Sequence, residues 1–240
     1  MDHTTTRMAI AGTGAMAAYH TERFRRIEGT QVVACYDRHG DRAADFASRH
    51  GIPAPHSSMA SLLAEAAPDA VAVAVADAQH YAVARAVLEA NGPALFIEKP
   101  LTATVEEAED LLRIRGGNAA PGVDSTSQPP GLPPVVCNFS KLNYPAVFGA
   151  VHLLRYGTLG PIRRLRLSYL QSWIVSTVWG EWWENPRWLW RISSSHGGGG
   201  ALRDLGSHLF YLLLVLLGAG EVRRAEAWSG ADRSKAAGGG

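Results

Sequence analysis

Apolar residues in the first hundred positions fall into short continuous runs, separated by longer stretches with helical spacing. Met8 to Ala11, Gln31 to Tyr36, Ala70 to Val75 and Ala94 to Ile97 read as strands that are apolar on both faces. Ala15 to Ile27, Asp41 to His50, Met59 to Ala66 and Ala78 to Ala90 read as the helices between them. Asn91-Gly92-Pro93 stops the last of these. Val105 to Ile114 is predicted as one more helix, with Thr102 or Thr104 as its cap and Glu106 and Glu107 in its first turn. Continuously apolar strands alternating with helices predict a parallel sheet covered on both sides, the doubly wound α/β class.

The alternation breaks at Arg115 to Pro134, where nine of twenty residues are Gly or Pro. That composition predicts a flexible loop. Val135 to Asn138 then reads as a fifth strand and Pro145 to Tyr156 as a helix. After Gly160-Pro161 the texture changes. Ile162, Leu165, Leu167 and Tyr169 space their apolar groups as in a one-faced strand, predicted over Ile162 to Val175. A helix follows over Ala201 to Leu217, and a strand begins at Val222 to Trp228. The expected organisation is a Rossmann domain over 1–138, with 115–134 as its loop, and a partial α/β domain over 139–240. The second domain is expected to carry an open, mainly antiparallel sheet.

Composition narrows the function classes. The 23 basic and 22 acidic residues balance to a net charge of +1, which offers no footprint for nucleic acid or an anionic membrane. The longest apolar stretch, Leu209 to Leu217, is far short of the roughly 20 residues that cross a bilayer, so no membrane partner is expected. Cys35 and Cys137 sit in separate apolar runs and predict two buried thiols in a reducing, cytoplasmic setting.

Gly12-Thr13-Gly14-Ala15-Met16-Ala17 spells G-x-G-x-x-A between the first strand and the first helix. Gly12 permits the tight turn, Gly14 lets backbone approach a pyrophosphate, and Ala17 allows close helix–strand packing. The helix N-terminus offers free N–H groups to the phosphates. Asp37 ends the second strand, 23 residues after Gly14. Its carboxylate suits ribose hydroxyls and disfavours a 2′-phosphate, which predicts NAD. Arg38 beside it keeps NADP possible.

Phe96-Ile97-Glu98-Lys99-Pro100-Leu101 resembles the E-K-P-L signature of the glucose–fructose oxidoreductase/inositol dehydrogenase/MocA family. Asp69 to Val75 with His80, Thr104 to Leu111, Val136 to Val147 and Tyr156 to Ile162 resemble further segments of that family, in order. Trp190-Arg191 and Gly198 to Leu209 are similar to its W-R … G-G-x-L-x-D-x-G-S-H-L segment, and Tyr169 to Trp173 to a segment of its sugar-dehydrogenase-like members. The resemblance spans residues 7 to 228. It implies an NAD(P)-dependent oxidoreductase that moves hydride between a nicotinamide cofactor and a hydroxyl carbon of a sugar, polyol or related small molecule. Ala76-Asp77-Ala78-Gln79 departs from the family's usual T-P-N. Family members also continue past residue 240, so a C-terminal truncation is expected.

Lys99 follows a buried strand, where a lysine can enter the ligand crevice and stabilise alkoxide character. Asp204 and His208 are four apart on a predicted helix and share a face. The resemblance implies His208 as base, Asp204 as its helper or a substrate contact, and Lys99 as the second polar group. Gly12, Thr13, Gly14, Ala15, Met16, Asp37, Arg38, Ala76, His80, Glu98 and Lys99 are the expected cofactor contacts. Trp173, Trp190 and Arg191 are candidate substrate contacts. No spacing predicts a metal site. A homo-oligomer through the second-domain sheet is expected. The alternative is a non-catalytic nucleotide-binding regulator, or an inactive fragment of such an enzyme.

Overall fold

A computed structural model describes residues 5–116, 132–172, 176, 181 and 202–217. Its centre is a six-stranded, all-parallel sheet in the order β3-β2-β1-β4-β5-β6. The strands are β1 (Thr6–Ala11), β2 (Thr30–Tyr36), β3 (Ala54–His56), β4 (Ala70–Val73), β5 (Ala94–Glu98) and β6 (Val135–Asn138). The helices are α1 (Ala15–Arg25), α2 (Gly40–His50), α3 (Met59–Ser61, continued by a π-helical turn over Leu62–Ala66), α4 (His80–Glu89), α5 (Val105–Ile114), α6 (Pro145–Arg155) and α7 (Ser207–Leu217).

The continuous hydrophobicity of the strands has a simple cause. Successive side chains point to opposite faces, and both faces are covered. Met8 and Ile10 of β1 pack with Ala17 of α1 and Phe46 and Ala47 of α2. Ala9 and Ala11 belong to the other cluster, with Val83, Ala84 and Val87 of α4 and Leu111 of α5. Each fully buried Val, Leu, Ile or Phe contributes about 1.5–3 kcal/mol, and the buried strand residues lie on β1, β2, β4 and β5.

Local signals explain the helix boundaries. Thr104 caps α5: its hydroxyl accepts from the Glu107 N–H at 3.2 Å, while the Glu107 carboxylate accepts from the Thr104 N–H at 3.2 Å. Of the two threonines proposed from sequence, Thr104 is the cap, and Thr102 donates to its carbonyl instead. The helix expected from Ala78 starts at His80, after a 3-10 turn over Asp77–Gln79. β3 is an edge strand that the pattern did not announce, because three residues including Pro55 carry no alternation.

One expectation is not met among the described residues. No strand occurs among the described residues 139–172 and 202–217, so the open antiparallel sheet does not appear there. Residues 165–172 alternate between half-buried and exposed as expected, Ile162 is exposed, and the segment pairs with nothing in a ladder among the described residues. An apolar alternation becomes a strand only when a neighbour takes its backbone hydrogen bonds. The rest of that predicted strand, the loop core at 117–131, and the strand at Val222 to Trp228 lie outside the described residues. So do Gly197 to Gly200.

Candidate active site

The chain reverses its sheet order between β1 and β4, and the carboxyl ends of the strands there carry the candidate groups. This is where open α/β sheets bind ligands. Gly12 follows β1 with φ +111° and donates its N–H to the Tyr36 carbonyl at 2.7 Å. A Cβ on Gly12 would lie 2.4 Å from the Ala74 carbonyl oxygen. Only glycine fits, and the turn lies tight against the segment after β4.

Gly14 is different. It caps α1 in an extended conformation with no side-chain cap, and a Cβ there would meet nothing within 4 Å. The first turn of α1 has no acidic residue. Open space before an uncapped helix N-terminus fits a pyrophosphate. Thr13, Ala15 and Met16 frame that space. Asp37 sits beside it at the end of β2. Its carboxylate accepts from the Thr13 hydroxyl at 2.6 Å and from the His39 N–H at 3.0 Å. Arg38 donates to the His39 ring at 3.1 Å and does not pair with Asp37. The glycine turn and the Asp37 carboxylate are thus tied together, and the residues present fit a dinucleotide.

His80 is buried, with Nδ1 2.6 Å from the Pro100 carbonyl and Nε2 3.2 Å from the Val75 carbonyl. Neutral imidazole donates through one nitrogen only. The ring ties Pro100, the residue after Lys99, to the segment that leads into Ala76. Glu98 turns toward α1: His20 Nε2 lies 2.6 Å from its carboxylate, and Asn138 Nδ2 donates to it at 2.7 Å. Burial pushes the Glu98 carboxyl up, but those two hydrogen bonds outweigh it and hold it below the usual range. Glu98 therefore leaves Lys99 free to face the other way.

Lys99 and Asp204 meet from positions 105 apart in the chain. The Lys99 ammonium donates to the Asp204 carboxylate at 2.8 Å and to its carbonyl at 2.9 Å. Asp204 lies in a π-helical turn over Leu202–Gly206, just before α7. A π turn shifts the register of a regular helix, so the simple four-residue facing expected for Asp204 and His208 is altered. The Asp204 carboxylate is found on Lys99, while His208 Nδ1 is buried with no hydrogen-bond partner among the described residues. The His208 ring meets Phe139 and Tyr169 edge-on, both at 5.9 Å. Burial, then the charges of Lys99 and Lys141, pull its pKa down to about 4, against the opposite pull of Asp204 and Glu98. His208 is therefore a neutral acceptor at pH 7.

Sequence reasoning missed His20, Asn138, Phe139 and Lys141. Asn138 closes a readable strand and was findable by its place beside β5. His20 has the spacing of any buried helix residue, and Lys141 lies in a short 3-10 turn over Ser140–Asn143 with no motif around it. Trp173, Trp190 and Arg191 lie outside the described residues. No cluster of metal-binding side chains occurs among the described residues, and no helix among them is long and apolar enough to cross a membrane.

A parallel sheet in this order, with a glycine turn at its switch point and a carboxylate closing β2, defines a dinucleotide-binding Rossmann domain. Residues 6–117 match the family model described as "Oxidoreductase family, NAD-binding Rossmann fold". Residues 149–238 match that described as "GFO/IDH/MocA C-terminal domain". The chain belongs to the Gfo/Idh/MocA family of oxidoreductases. It is 38% identical over 120 residues to inositol 2-dehydrogenase 1 of Saccharopolyspora erythraea, covering 49% of this chain and 34% of that protein. It is 28% identical over 214 residues to the NADP-dependent scyllo-inositol 2-dehydrogenase IolU of Bacillus subtilis, covering 89% of this chain and 58% of that one. An oxidoreductase domain protein from Kribbella flavida superposes with a TM-score of 0.69 at 25% identity, over 90% of this chain and 53% of that one. The chain spans about half the length of the curated relatives it matches, or less.

Proposed function

We propose that the chain forms the cofactor domain and the catalytic wall of an NAD(P)-dependent dehydrogenase acting on a CH–OH carbon of a sugar or polyol. One observation carries this reading: an ammonium held by a carboxylate, Lys99 on Asp204, beside a histidine kept neutral, at the cofactor edge of the sheet. The inositol dehydrogenases among the relatives support the substrate class.

Gly12, Thr13, Gly14 and the first turn of α1 take the pyrophosphate, and Asp37 takes the adenosine ribose, which favours NAD. The nicotinamide cofactor, when bound, supplies hydride acceptance and donation. His208 takes the proton of the substrate hydroxyl as the carbonyl forms. Lys99 donates a hydrogen bond to the same oxygen and stabilises its growing negative charge. Asp204 positions Lys99. In the reverse direction the histidine returns the proton. His80 and Glu98 act from behind, by holding the turn on either side of Lys99.

Residues from 139 onward belong to a second domain for substrate binding and dimerisation. Its open, mainly antiparallel sheet is part of the same reading and rests on the alternation after Ile162. A homo-oligomer through that sheet is expected in light scattering. The free thiols Cys35 and Cys137 support a cytoplasmic setting. Burial pushes their pKa values up to about 11 and 12, which suits packing rather than reactivity.

The test is a titration of the 240-residue chain with NADH and NADPH, followed by tryptophan fluorescence, and then NAD+-dependent turnover with inositols, hexoses and hexuronates. Saturable NADH binding and turnover of any of these support the proposal. NADH binding without turnover of any of them points to the non-catalytic regulator. A soluble chain that binds neither nucleotide removes the cofactor assignment.

A further inference from the structure

Four charged side chains act on the His208 ring: Lys99, Lys141, Asp204 and Glu98. Three of them have oppositely charged or strongly polar partners. Lys99 is on the Asp204 carboxylate, and Glu98 is on His20 and Asn138. Lys141 has no carboxylate partner among the described residues. Its ammonium donates to the Tyr144 hydroxyl at 3.1 Å and lies 5.2 Å from the centroids of both the Tyr144 and the Tyr169 rings. Hydrogen bonds to Tyr144 and Tyr169 push its pKa up, so it stays charged. The two aromatic rings hold the cation in place.

The position of this charge is set by Tyr169, whose ring is shared. Lys141 packs on it at 5.2 Å and His208 meets it edge-on at 5.9 Å. Phe139, which also borders His208, stacks on Tyr211 at 4.1 Å. His208 is thus set among aromatic rings, with the ammonium of Lys99, paired with Asp204, and that of Lys141, which has no carboxylate partner among the described residues, both acting on it. A neutral polyol does not need the second charge.

We infer that the substrate of this site carries a carboxylate, a sugar acid whose anionic end pairs with Lys141 while its reacting hydroxyl lies between Lys99 and His208. This rests on the dehydrogenase reading above. A single ammonium suits a carboxylate monoanion. A phosphate dianion more often recruits guanidinium forks or a free helix N-terminus, and the turn ahead of α7 carries the acidic Asp204 instead. Lys141 is a specificity-determining residue, and the proton and hydride steps remain with the groups already described.

The experiment uses the full chain saturated with NADH. Matched pairs of hexose and hexuronate in the gluco, galacto and manno configurations are titrated, together with glucose 6-phosphate. Wild type, Lys141→Met and Lys141→Arg are compared at low and at physiological salt. A charge-assisted contact corresponds to about tenfold or more in affinity. At least one hexuronate is expected to bind about tenfold more tightly than its parent hexose. That preference should vanish in Lys141→Met, return in Lys141→Arg and shrink with salt. If no hexuronate exceeds its hexose, or if Lys141→Met weakens hexose and hexuronate equally, the inference is wrong. Tighter binding of glucose 6-phosphate than of glucuronate overturns the carboxylate assignment. NADH binding is read in the same samples, so its loss would count against the dehydrogenase reading and not against Lys141 alone.

Discussion

The Lys99 ammonium lies 2.8 Å from the Asp204 carboxylate, and the two side chains are only 16% and 7% exposed. Removing one partner of a mostly buried pair leaves a charge without compensation. Asp204→Ala is expected to lower the unfolding free energy by about 3 kcal/mol, seen as a fall in urea midpoint. Lys99→Met keeps the stem but removes the donor proposed for the reacting oxygen. It is expected to reduce kcat by about 10²–10³-fold with NADH affinity little changed. Equal losses in NADH affinity and kcat would show that Lys99 serves the cofactor rather than the chemistry.

His208 has a pKa pulled down to about 4, from an ordinary value near 6.5. The acid limb of kcat/KM for alcohol oxidation should therefore lie near pH 4, well below the value for free imidazole, and His208→Gln should lower kcat by about 10²–10⁴-fold. The stability consequence has a definite sign. Between pH 6.5 and 4 the unfolded chain binds the proton that the folded chain refuses, so stability falls as pH falls through that window. The melting temperature should drop from pH 7 to pH 5, and the drop should be smaller in His208→Gln. A larger drop in the variant would contradict the assignment.

Gly12 and Gly14 are two residues apart, and alanine at each should differ in its effect on stability. A Cβ on Gly12 strikes the Ala74 carbonyl and must adopt φ +111°. Gly12→Ala is expected to cost about 1–3 kcal/mol and to abolish NADH binding. Gly14→Ala meets no protein atom within 4 Å, so its melting temperature should hold while NADH affinity falls. If Gly14→Ala bound NADH normally, the pyrophosphate would not lie at the N-terminus of α1.

Asp37 is held by the Thr13 hydroxyl and the His39 N–H. Asp37→Ser removes the charge that repels a 2′-phosphate and leaves Arg38 available to it. The ratio of NADPH to NADH affinity is expected to rise by about tenfold or more. No change in that ratio would place the adenosine ribose elsewhere.

Much of this protein was readable from one dimension. A continuously apolar strand needs cover on both faces, so Met8 to Ala11 and its companions announced a parallel sheet by themselves. G-x-G-x-x-A between strand and helix, with Asp37 closing the next strand, pointed to a dinucleotide turn, because a tight turn and close approach demand those residues locally, and residues 6–117 match an NAD-binding Rossmann family model. Thr102 or Thr104 ahead of Glu106 and Glu107 announced the start of α5 for the same reason, and the structure selects Thr104. Each is a short-range requirement written within a few residues.

Other features belong to the tertiary structure alone. Lys99 and Asp204 are neighbours only after 105 residues of chain fold back, and no local rule says that Asp204 will pair with Lys99 while the ring of His208 sits among aromatics. The partners of Glu98 come from α1 and β6, and the shared ring of Tyr169 places Lys141 beside His208. The alternation after Ile162 shows the limit from the other side: a strand pattern specifies a face, and only a neighbouring strand can turn it into a sheet. Charge pairing and pKa depend on distance and burial, which fall off over a few ångströms in space and carry no fixed spacing along the chain.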